Sequence, residues 1–137
     1  MRQDARDRIF RWLLRVAGTI ELFALIFIVA PESWMVSIHA WLGLGELPRD
    51  PIVGYLARST SAFYAMLGGL MWVVSFDLTR HREVLIYLGW AQALFGVALL
   101  GIDTYEGLPM SWTLFEGPLV IPLGLATLWL ARQLPDR

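Results

Sequence analysis

The sequence predicts an all-α integral membrane protein: a four-helix bundle with a short interfacial amphipathic helix in its first outer loop. Three observations carry that expectation. Four apolar stretches each approach the ~20 residues that a helix needs to cross a bilayer. Prolines, glycines and short polar runs punctuate the gaps between them. The arginines gather on one side of the spans so defined. Composition agrees, since 57% of the 137 residues are hydrophobic and only 17% are charged, a balance too apolar for a soluble domain of this size.

The first span, residues 10–30, stops at Pro31 and is preceded or entered by Arg2, Arg6, Arg8, Arg11 and Arg15. A cleaved secretory signal is not expected, because Glu21 interrupts the apolar run and Ile28 spoils the small-x-small pattern before Pro31. The second span, residues 52–76, lies between Pro48 and Pro51 on one side and Asp77 and Thr79 on the other. A connection of a few residues, 78–83, then forces the second and third spans into an antiparallel hairpin. The third span covers residues 84–102 and the fourth, beyond Gly107 and Pro109, residues 112–131. Together they make one domain over residues 1–137.

Two segments admit more than one reading. Between Pro31 and Pro51, Trp34, Ile38, Trp41 and Leu42 recur at i, i+4, i+7 and i+8, the pattern of a helix over about 33–44 lying in the outer interface. Such a helix can cap the bundle, gate it or dock a partner. In the fourth span, "SWTLFEGP" either continues the helix through Pro118 and Pro122 or lies in the interface, with the helix beginning at Pro118. The second choice leaves a span rather short for a bilayer.

Orientation follows from charge. Arg80 and Arg82 fill the second connection, and Arg132 and Arg137 follow the last span, on the same side as the N-terminal arginines. The first and third connections carry Arg49 against Glu32, Glu46, Asp50, Asp103 and Glu106. The positive-inside rule therefore expects a multi-pass protein of the inner (plasma) membrane with both termini cytoplasmic. Trp12, Trp72 and Trp129 near the inner ends, with Trp34, Trp41 and Trp112 near the outer, suit an aromatic belt.

The spans are not purely apolar. Arg58 shares a helix face with Ser61, Ala62, Ala65 and Gly69, small residues that allow close approach of membrane helices. Ala17, Gly18 and Ala24 flank Glu21, Gly89 and Gly96 flank Gln92 with Asp103 three turns on, and Gly117 and Pro118 follow Glu116. With a helical rise of about 1.5 Å per residue, Arg58 and Glu116 both lie roughly 6–10 Å below the outer surface, Asp103 near it, and Glu21 and Gln92 near the midplane. One outer-half cluster is expected, in which Arg58 pairs with Glu116 and with Glu21 as the competing partner, and Gln92, Asp103, Ser61, Tyr64 and Thr113 are its polar neighbours. Two carboxylates against one guanidinium leave a negative charge to be met by a proton, a cation or a cationic ligand. The cluster either fastens the helices in register or marks a binding site or pathway.

Enzyme signatures are missing. No Walker loop, dinucleotide fingerprint, HExxH pair or nucleophile elbow occurs, so no catalytic residues are assigned. His39 and His81 fall in connections on opposite sides of the membrane, which rules out a bis-histidine haem, and neither a cofactor nor a metal is implied. Cysteine is absent, and a net charge of −1 argues against a nucleic-acid partner. The basic N-terminus, the short basic loop "DLTRHRE", the early arginine of "YLARS" and the glycine pair of "MLGGLMW" together resemble the small four-helix bacterial membrane proteins of the DoxX-like type. That resemblance covers the layout of the chain; the outer segment "PESWMVSIHAWLGLGELPRDP" falls outside it. It implies a four-helix fold and, for some members, a role as a small subunit of a membrane oxidoreductase. The function expected from the residues is the binding or passing of a small or lipophilic ligand at a polar pocket toward the outer leaflet. Alternatives are a non-catalytic accessory subunit, and a lipid-modifying enzyme using Glu/Asp acid–base chemistry. The corresponding partners are the lipid bilayer, a lipophilic small molecule, and another membrane protein or a second copy of the chain.

Overall fold

In the computed structural model, which describes residues 2–135, the chain is helical except at its connections. The helices are α1 (Arg2–Leu22), α2 (Leu25–Val29), α3 (Glu32–Trp41), α4 (Pro51–Phe76), α5 (Arg82–Glu106) and α6 (Met110–Ala131). Gln3–Val29, Pro51–Phe76, Arg82–Glu106 and Met110–Ala131 are each long and apolar enough to cross a membrane, as the predicted four-span helical class requires. The helices overrun the predicted spans at charged ends such as Arg82–Glu83 and Asp103–Glu106. Hydropathy marks where lipid begins, whereas the backbone stays helical until a breaker stops it. Two compact groups form: residues 14–73, and the chain up to Leu13 together with that from Val74 onward.

Within residues 14–73, α1 and α4 meet backbone to backbone. A Cβ added at Gly18 would stand 2.7 Å from the Gly68 carbonyl oxygen, and one at Gly68 would stand 2.5 Å from the Gly18 oxygen and 3.0 Å from Glu21 Cβ. Only glycine on both sides permits that crossing. The small face of α4 differs from the expected one: Ala65 and Gly68 are buried, while Ala62 is exposed and a Cβ at Gly69 would meet nothing within 4 Å. At 100° per residue, Ser61, Ala65, Gly68 and Trp72 centre on an arc about 50° round the helix from Arg58, away from Ala62 and Gly69. Across the same crossing the Trp72 indole Nε1 donates to Thr19 Oγ1 at 3.1 Å, and the Arg15 guanidinium lies 5.2 Å from the Trp72 ring centroid.

The first span tightens after Glu21. Ala24, Ile26 and Phe27 donate to the carbonyls of Glu21, Phe23 and Ala24 at 3.0, 3.1 and 3.0 Å, bonds to the third residue back rather than the fourth. Such 3₁₀ geometry separates α1 from α2. The helix stops at Ala30, whose ψ of 141° is the extended conformation imposed on a residue before proline. The interfacial helix appears as α3, three residues shorter at its C-terminal end than predicted because Gly43 and Gly45 take positive φ of 76° and 86°. Trp34, Val36, Ile38 and Trp41 are exposed, and Met35, His39 and Leu42 form its half-buried side. Leu42, expected on the apolar face with Trp34, Ile38 and Trp41, thus lies on the half-buried side while the other three are exposed. His39 Nδ1 donates to the Gly45 carbonyl at 3.1 Å and closes the turn. Asp50 then caps α4, accepting from Ile52 N at 3.0 Å, with Pro51 in the first helical position.

In the other group, α5 and α6 form an antiparallel pair. Gly107, at φ 69°, ends α5, and Pro109 starts α6. Glycines seven residues apart on each helix mate in reverse order. A Cβ at Gly96 would stand 2.9 Å from the Gly117 oxygen and 2.7 Å from Ile121 Cγ1, and one at Gly124 would stand 2.8 Å from the Gly89 oxygen. Helix α6 runs unbroken through Pro118 and Pro122, which excludes a helix that begins at Pro118. At the arginine-rich end, Arg6 donates to Gln133, Arg82 Nε donates to the Leu134 carbonyl at 3.2 Å and Arg132 lies 5.6 Å from the Trp90 ring centroid. Cations beside the carbonyls that end α6 are favourable on charge grounds.

Candidate functional site

The arginine of the second span is answered by backbone. Arg58 is half-buried on α4; one guanidinium nitrogen donates to the Ile28 carbonyl and the other, Nη2, to the Ala30 carbonyl at 3.1 Å. The reason lies in Pro31. It brings no N–H and ends the span, so the last carbonyls of α2 lose the donors that a continuing helix would offer. In lipid, water cannot replace them. A planar fork of charged donors meets two such carbonyls at once and faces the negative end of a helix.

Glu21, the competing partner from the sequence, belongs to the same group of residues but does not take that role: its Oε2 is buried and has no hydrogen-bond partner among the described residues. Ser61, one turn from Arg58, donates to its own helix, to the Ala57 carbonyl at 2.8 Å. Tyr64 lies half-buried a turn further along α4.

The remaining predicted residues sit on α5 and α6. Gln92 and Asp103 are among the best-buried polar residues, at 5% and 2% exposure. Both amide atoms of Gln92 and Oδ2 of Asp103 lack a hydrogen-bond partner among the described residues. Glu116, on α6, lies within electrostatic reach of Asp103, and its Oε2 accepts from Trp112 Nε1 at 2.7 Å. Thr113 turns its hydroxyl back to the Pro109 carbonyl at 3.4 Å. The fold therefore brings the Asp103 and Glu116 carboxyl groups toward each other across the turn at Gly107, with Trp112 bonded to Glu116. Gln92 stays on the Asp103 face of α5 but three turns away, toward the arginine-rich end.

Two participants escaped the sequence reading. Thr127 is fully buried on α6 with Oγ1 unpartnered, one turn from Gly124 on the glycine face; its spacing from that glycine was the available signal. Trp112 counted only as a belt residue, although its position four before Glu116 permits the indole–carboxylate bond observed. Compared with protein-family models, with curated proteins and with solved structures, the chain finds no match.

Proposed function

We propose that this multi-pass membrane protein binds or passes a small or lipophilic ligand through polar side chains set inside its spans. The reading is supported by one observation: on the α5·α6 pair, Gln92, Asp103 and Thr127 are buried while side-chain polar atoms of each lack a hydrogen-bond partner among the described residues. Burying an amide or hydroxyl without a partner costs roughly 2–7 kcal/mol by transfer. The close packing of the pair is supplied by its glycine crossings. Polar groups kept in such places mark sites where a ligand, or water accompanying it, provides the missing hydrogen bonds.

Native mass spectrometry of the protein extracted from its host membrane tests this. A bound small-molecule or lipid mass should accompany the wild type and be lost from Gln92→Leu, while Leu94→Ala, on the exposed side of α5, retains it. A wild type free of any such mass, or Gln92→Leu binding unchanged, would refute the reading.

A further inference from the structure

Between Val84 and Ala131 the chain carries Asp103, Glu106 and Glu116 and no arginine. All three acids fall where α5 turns into α6, the end opposite Arg82 and Arg132. Asp103 is fixed there by its own backbone, whose carbonyl accepts from Leu108 N at 3.0 Å and so closes the turn. Its side chain is 2% exposed with Oδ2 unpartnered among the described residues, and the Glu116 carboxyl lies within electrostatic reach. The Trp112 indole, bonded to Glu116 at 2.7 Å, places an aromatic ring beside that carboxyl group.

A carboxylate accepts hydrogen bonds and attracts positive charge, and an indole face adds to the attraction for a cation. The donor set separates the classes of cation. Hard metal ions require about six oxygen ligands, and among the described residues no three acidic or histidine side chains are grouped so as to hold one. An organic cation needs no coordination shell, only charge, an aromatic neighbour and somewhere for its apolar body. Ile102, Leu114 and Phe115, all exposed on the same stretch of the two helices, offer apolar surface next to these residues in sequence.

We propose that Asp103, Glu116 and Trp112 form a binding site for a lipophilic organic cation, an ammonium- or phosphonium-type head on an apolar body. The inference rests on the ligand-binding reading above and names its chemical class. Equilibrium binding of tetraphenylphosphonium to the full chain in maltoside micelles, with neutral triphenylphosphine oxide as the matched probe, tests it. The wild type should bind the cation in preference to the neutral probe. Asp103→Asn should weaken cation binding about tenfold or more, the scale of one lost charge interaction away from bulk water. Glu116→Gln should weaken it by a smaller factor, and Glu106→Gln, at an exposed carboxylate, should leave it unchanged. If Asp103→Asn does not fold, Glu116→Gln and Trp112→Phe decide, because each must weaken the cation and spare the neutral probe. Failure of the wild type to bind the cation, equal binding of the two probes, or insensitivity to the carboxylates would overturn the assignment. Persistence of a host-derived bound mass sensitive to Gln92 alongside such a failure would overturn the cation class alone; absence of both would remove the reading beneath it.

Discussion

Replacing Arg58 by methionine keeps a long apolar stem and deletes the donors that end the first span. Two carbonyls, those of Ile28 and Ala30, then lose their partner. Hydrogen bonds to a charged group contribute about 1.5–3 kcal/mol each in soluble proteins, but interhelical bonds in membranes average about 0.6 and reach about 1.7 kcal/mol, because the unfolded chain in lipid also finds partners. Two bonds on the membrane scale put the cost at about 1–3 kcal/mol, with the lost attraction to the α2 terminus inside that range. Arg58→Lys should fall between, since an ammonium keeps the charge but not the planar fork. The assay is unfolding in mixed micelles followed by tryptophan fluorescence. Adding Glu21→Gln to Arg58→Met should leave the loss in place, because the arginine serves carbonyls and Glu21 Oε2 has no partner. Wild-type stability in Arg58→Met, or recovery of the loss by Glu21→Gln, would refute carbonyl capping and restore charge compensation as the reason for the arginine.

The neighbouring glycines Gly68 and Gly69 offer a paired comparison in the same assay. Gly68→Ala should destabilise by roughly 1–3 kcal/mol through overpacking, since its Cβ would stand 2.5 Å from the Gly18 oxygen. Gly69→Ala, with open space around its Cβ, should be neutral or gain up to about 1 kcal/mol in helix propensity, and equal effects at the two positions would place the crossing wrongly. Orientation is checked by reporters: one fused at the C-terminus should read cytoplasmic and one inserted at Glu106 external, as the arginine asymmetry demands. Exchanged signals would reverse the inner and outer sides used above.

Several features were legible because they depend on local chemistry. Span existence follows from runs of apolar residues, and helix ends from Pro31, Pro51 and Gly107, whose effects on φ, ψ and N–H supply need no tertiary partner. The existence of α3 follows from the i, i+4, i+7 recurrence alone. The buried side of a membrane helix is less legible. Lipid and protein interior are equally apolar, so hydropathy does not separate Gly68 from Gly69, and only the approach of Gly18 decides.

The polar residues show the same division. By itself the sequence determined that Arg58, Glu21, Gln92, Asp103 and Glu116 stand inside or at the edge of spans, because position along a helix is a count of residues. Partner choice was decided by the tertiary structure. Charge counting pointed Arg58 at carboxylates, yet backbone carbonyls stripped of donors by a proline are equally good acceptors, and they carry no mark in a sequence of side chains. The meeting of Asp103 and Glu116 required the register of α5 on α6, which the mated glycines set. Contacts between distant residues follow from how two helices are placed in space, and that placement is a property of the pair, absent from either helix alone.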